Sequence, residues 1–150
     1  MITIDYYWNN VRQQNLEVVL QIIKEIVKRE STDELLFDYL KVLAKNETHE
    51  ELLDRMIQDE RVQFYTLKHI YHQLTGSFPE VDAPTFNIPD SLEEGIREIL
   101  LRKAKIVKLF VQLVYLLPPI YATYVYPFIV DEQTHMHLLN FILLELYHNN

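Results

Sequence analysis

Four long segments of this chain repeat apolar residues at alternating three- and four-residue steps, and polar side chains interrupt each repeat near its middle. The first reads Ile23, Ile26, Glu30, Asp33, Phe37, Leu40, Ala44. The second reads Leu53, Met56, Glu60, Gln63, Leu67, Ile70, Leu74. The third reads Ile96, Ile99, Lys103, Ile106, Phe110, Leu113, Leu117, and the fourth Phe128, Glu132, His135, Leu139, Ile142, Leu146. Steps of three and four residues keep a set of side chains on one helix face. Burying a charge without a partner costs several kcal/mol. Four helices that each accept that cost at mid-length are expected to share a site there.

Local signals divide the chain around these stripes. Residues 1–14 carry Tyr6, Tyr7 and Trp8 without a clear period and are expected to form an arm. A first helix is predicted over 15–45. Lys45-Asn46 marks a break, and Thr48-x-x-Glu51 reads as a capping box for a second helix over 47–75, which Gly76 terminates. Residues 77–90 hold Pro79, Pro84 and Pro89 and read as a loop. So long a loop suits a crossover along the bundle between two helical hairpins. Ser91-x-x-Glu94 caps a third helix over 92–117, which Pro118-Pro119 ends. A fourth helix is predicted over 120–148, with Pro127 either starting or kinking it. The expected class is all-α, a single-domain four-helix bundle of two hairpins joined by a long crossover.

Composition narrows the function classes. With no cysteine in 150 residues, disulfide frameworks, cysteine-based metal sites and thiol nucleophiles are excluded, and a reducing cytoplasm is compatible. A net charge of −8 argues against a nucleic-acid partner. The apolar stretch from Ile106 to Val130 is interrupted by Lys108, Gln112, Pro118, Pro119 and Pro127, so no membrane span is expected. No signal peptide is evident at the start of the sequence. The Tyr-rich, apolar outer faces of the third and fourth helices favour self-association as a homodimer.

The polar interruptions carry the chemistry. Asp59-Glu60 and Asp131-Glu132 stand at matching points of the two halves. Glu132-x-x-His135 puts a carboxylate and an imidazole on one helix face, and Glu60-x-x-Gln63 is the same spacing with the histidine replaced. A Glu-x-x-His pair from each of two helices, with a Glu from each of two others, builds a di-iron carboxylate site. The remaining histidines, His49, His69, His72, His137 and His148, read as surface residues.

On these residues, together with Ile70-Tyr71, Leu74-Thr75-Gly76 and Val130-Asp131-Glu132-Gln133-Thr134-His135, the chain resembles rubrerythrin-type members of the ferritin-like superfamily over roughly residues 15 to 148. The resemblance implies a ferritin-like bundle in which Glu30 matches the first-helix glutamate, Glu60 and Glu132 the bridging pair, and His135 the fourth-helix histidine. It implies iron or manganese binding and redox chemistry with oxygen or peroxide. Two positions depart from the pattern: Gln63 stands where a histidine belongs, and Lys103 where a glutamate belongs.

Two outcomes follow from that alteration. Glu30, Glu60 and Glu132 with a charged Lys103 leave two negative charges, which one divalent ion (iron, manganese or zinc) would balance, with Gln63 as a weak ligand and Asp33 either an added ligand or a partner of Lys103. Alternatively, Lys103 replaces the metal, nothing binds, and the chain is a structural or interaction protein that has kept the bundle.

Overall fold

The computed structural model describes residues 4–149, and side chains from position 14 onward. Five helices make up the fold: α1 (Ile4–Val27), α2 (Glu30–Leu43), α3 (Glu47–Thr75), α4 (Leu92–Leu116) and α5 (Pro119–His148). No strand occurs among the described residues. α1 and α2 both pack on α3 and α4, so together they fill one bundle position, and α5 packs on α4 and α3. The molecule is therefore an all-α four-helix bundle.

The predicted first helix differs in two respects. It starts at Ile4, where an arm over 1–14 was expected; residues 1–3 lie outside the described part. No glycine or proline stands before Gly76, so nothing in the aromatic-rich start opposes helix. It is also interrupted at Lys28-Arg29, which separates α1 from α2.

Caps follow their local chemistry. The start of α3 is capped by Asn46, whose Oδ1 accepts from the His49 amide at 2.9 Å, rather than by Thr48 as its spacing to Glu51 suggests. Ser91 caps α4 as expected, its Oγ accepting from the Glu94 amide at 3.2 Å. Gly76 ends α3 at φ 80°, a conformation that favours glycine, and its N–H donates to His72 O at 2.7 Å. α5 starts at Pro119, in the first turn where a missing N–H costs nothing, and Pro127 lies inside the helix.

Two apolar clusters fill the interior. One joins Val19–Val27 of α1 to Phe64, Leu67 and Ile70 of α3, Phe110 and Leu113 of α4, and Val125 and Phe128 of α5. The other joins Leu36, Phe37 and Leu40 of α2 to Leu53, Met56 and Ile57, to Leu92, Ile96 and Ile99, and to Leu139, Ile142 and Leu146. The C-terminal half of α3 lies in the first cluster and the start of α4 in the second. The connecting segment after Gly76 therefore runs along the bundle as a crossover. It is fastened at the α1–α2 break: Asp82 N–H donates to Lys28 O at 3.0 Å, and Thr85 N–H to Thr32 Oγ1 at 3.1 Å. At the other end α2 and α4 approach so closely that a Cβ at Gly95 would collide with the Leu40 side chain.

Candidate functional site

Between the two clusters lies a polar layer built on one ammonium. Lys103 comes from the middle of α4, only 2 % exposed, on a face otherwise occupied by Ile96, Ile99 and Phe110. Its Nζ donates to Glu60 Oε1 at 3.0 Å and to Glu132 Oε2 at 3.0 Å, with Glu132 Oε1 at 3.2 Å. The His135 Nδ1 atom lies 3.1 Å away. A lysine ammonium has three protons and no acceptor. Here it meets two carboxylates and one imidazole. The Phe37 ring centroid lies 5.9 Å from Nζ on the α2 side.

The groups around the lysine are fixed in turn. His135 Nε2 lies 2.7 Å from Asp59 Oδ2. The tautomer that satisfies both contacts accepts from Lys103 at Nδ1 and donates to Asp59 from Nε2. The Gln63 amide donates to Glu132 Oε1 at 3.1 Å. The matched acidic pairs thus divide their work: Glu60 and Glu132 face the ammonium, while Asp59 orients the histidine.

Charge is shared unequally. Burial pushes both glutamates up, and Lys103 pulls both down. For Glu132, the Lys103 ammonium overcomes burial and leaves the carboxyl at about 2. For Glu60, burial and the neighbouring Glu132 charge prevail and the carboxyl stays above its ordinary value. Burial pushes Lys103 down, but the two carboxylates outweigh it and hold the amine above its ordinary value, charged at neutral pH.

Of the residues expected at the centre, Glu60, Gln63, Lys103, Glu132 and His135 converge, and Glu30 does not. Glu30 opens α2 and pairs with Lys68 Nζ at 2.9 Å, eight residues along α3 from Glu60, or about 12 Å of helix. The break at Lys28-Arg29 shifts the phase of the stripe and turns Glu30 out of the layer. Asp33 takes the inward place one turn on. It is buried, but its partner is Arg102, not Lys103. Burial and the like charge of Arg29 push Arg102 down to about 10, against the pull of Glu132. Sequence reasoning missed Arg102 altogether. The signal was its place beside Lys103, on the helix facing a buried aspartate. It also misplaced His49, which is buried and meets Glu145 Oε2 through Nε2 at 2.9 Å.

Beside the lysine is a cavity of about 30 Å³, lined by Arg29, Asp33, Phe37, Glu60, Arg102 and Lys103 among others. Two buried polar atoms in its lining residues, Arg29 Nε and Glu60 Oε2, have no hydrogen-bond partner. The space suits about two water molecules.

A resident metal ion does not fit this arrangement. The oxygens and the imidazole nitrogen surround Nζ at 3.0–3.2 Å, the distance of an ammonium hydrogen bond. Ligands to zinc and similar ions stand at about 2.0–2.2 Å. Among the described residues, no three His, Asp or Glu side chains are placed to hold an ion.

No protein-family model, curated protein or solved structure matches the chain. None of the described helices is long and apolar enough to cross a membrane.

Proposed function

We propose that this chain is a ferritin-like bundle in which the Lys103 ammonium replaces a metal ion, and that it serves as a non-catalytic structural or interaction protein. One observation supports the reading above all: Lys103 Nζ stands 3.0–3.2 Å from Glu60, Glu132 and His135, the residues that the ferritin-like resemblance assigns to metal. The ammonium supplies the positive charge these side chains need when buried together. It also completes a tie between α3, α4 and α5, so the layer holds the helices in register. The other reading, an iron, manganese or zinc protein handling oxygen or peroxide, requires that this ammonium be displaced.

Elemental analysis of the protein purified without chelator separates the two. The expected result is no near-stoichiometric iron, manganese or zinc. Thermal melting with added Fe(II), Mn(II) or Zn(II) is expected to leave the parent unchanged. It should raise the Tm of Lys103→Glu combined with Gln63→His, in which two metal-binding side chains return. Near-stoichiometric metal in the parent overturns the reading.

A further inference from the structure

The cavity beside Lys103 adjoins an outer groove of about 470 Å³ between α1 and α4, and Arg29, Glu98, Arg102 and Ile106 line both. Two guanidinium side chains therefore stand where an open cleft meets the enclosed space, Arg29 from the α1–α2 joint and Arg102 from α4. They are close enough that the charge of Arg29 adds to burial in pushing Arg102 down to about 10. Like charges brought together out of water need counter-charge. Asp33 supplies one, to Arg102. Among the described residues no carboxylate pairs with Arg29. Its Nε is buried and has no hydrogen-bond partner. Of the other acids lining the groove, Glu25 is held by Lys105 at 2.9 Å, and Glu98 is exposed. Arg29 thus offers a buried donor for which the protein supplies no acceptor.

Shape and charge select what accepts from it. A guanidinium is planar and donor-only, and it matches the two oxygens of a carboxylate. The cavity, about 30 Å³, takes two groups of water size. One carboxylate oxygen beside Arg29 fills the first place. A water fills the second, donating to that oxygen and to Glu60 Oε2, the other buried atom without a partner. The second carboxylate oxygen then lies at the boundary, within reach of Arg102. Sulfate or phosphate fits poorly, because more oxygens and a second negative charge would be forced towards Glu60 and Glu132, which line the same cavity. Outside the boundary the groove carries Leu101, Ile106 and Leu109, an apolar wall along which a short hydrocarbon chain can lie.

We infer that Arg29 and Arg102 form a binding site for the carboxylate head of a small aliphatic monocarboxylate, whose chain lies in the α1–α4 groove. This goes beyond the reading of Lys103 and uses the one Glu60 oxygen that the ammonium leaves free.

Titration of the full chain with butyrate, followed by NMR at neutral pH and constant ionic strength, tests it. The Arg29 side-chain Nε–H resonance, assigned by its disappearance in Arg29→Gln, is expected to shift saturably. Followed at the backbone amides of α4, Arg29→Gln should weaken butyrate binding by about tenfold, the weight of one charge-assisted hydrogen bond. Leu101→Glu, a change at an exposed position, should weaken it as well by setting a carboxylate beside the chain. Far-UV circular dichroism should be unchanged in both variants. Butyramide, of the same shape without the charge, and sulfate should leave the Arg29 resonance in place. Acetate, which lacks most of the chain, should bind several-fold more weakly. No saturable shift in the parent, meaning water alone in the cavity, overturns the proposal. So does either variant binding as tightly as the parent, an equal response to butyramide or sulfate, or acetate matching butyrate. Metal content does not enter this readout, so its failure is distinct from failure of the Lys103 reading.

Discussion

Lys103 and Glu132 face each other across the α4–α5 hairpin, Nζ to Oε2 at 3.0 Å, and neither is more than 2 % exposed. The pair is a point of high leverage. Replacing buried ionic groups by apolar ones of similar volume is often nearly neutral, whereas removing one partner strands the other. Lys103→Met leaves two buried carboxyls without their counter-charge and should cost about 3–5 kcal/mol at neutral pH by urea unfolding. Adding Glu60→Leu and Glu132→Leu should recover most of that loss. If the triple variant is no more stable than Lys103→Met, the ammonium is not what makes the carboxylates tolerable.

Glu132 should make folding sensitive to acid. Its folded pKa of about 2 lies below the ordinary 4.5, so its stabilisation is fully present above 4.5 and is lost as the pH falls towards 2. The difference is worth about 3 kcal/mol. Glu60 runs the other way: its raised pKa gives stability that is present below 4.5 and lost as the pH rises through its folded value. The Glu60→Gln background removes that opposing slope. There, stability should climb by about 3 kcal/mol more between about pH 2 and about pH 5 than in Glu60→Gln/Glu132→Gln. Parallel curves for the two variants would refute the assignment.

Glu30 and Asp33 should separate cleanly. Glu30 and Lys68 are both partly exposed, so Glu30→Gln should change stability by less than about 1 kcal/mol. Asp33 is buried against Arg102, and Asp33→Asn should cost about 3 kcal/mol by leaving that guanidinium unpaired. Equal losses in the two variants would place Glu30 in the layer after all.

Gly95 is required by space, not by backbone conformation. A Cβ there meets Leu40 and also lies 3.3 Å from Pro89 Cγ. Although alanine favours helix, Gly95→Ala should cost about 1–3 kcal/mol through overpacking. Leu40→Ala carried with it should cost less than the sum of the two single changes, as measured by thermal unfolding in a double-mutant cycle.

The bundle was legible because periodicity and punctuation agree. Ser91, Gly76 and Pro118-Pro119 bound helices whose apolar stripes continue for many turns, and the five residues that meet in the layer all interrupt such stripes. Glu30 was misread because Lys28-Arg29 breaks the helix with no glycine or proline to announce it, and a stripe extended through a hidden break places its next residues on the wrong face. The opposite roles of Glu60 and Glu132 also lay beyond sequence. Both follow an aspartate and precede an amide or imidazole by three positions, and only their three-dimensional surroundings decide which carboxyl is pushed up and which is held down.

The crossover has a mechanical consequence. Where the first helix stops at Lys28, the carbonyl freed by the interruption receives the Asp82 amide, and Thr85 is tied to Thr32 just beyond. The segment therefore acts as a splint across a joint. A protease nick between Asp82 and Thr85 would free that joint to flex while both hairpins stayed zipped, and Asp33, next to Thr32 and only 3 % exposed, would be the first buried carboxylate to meet solvent.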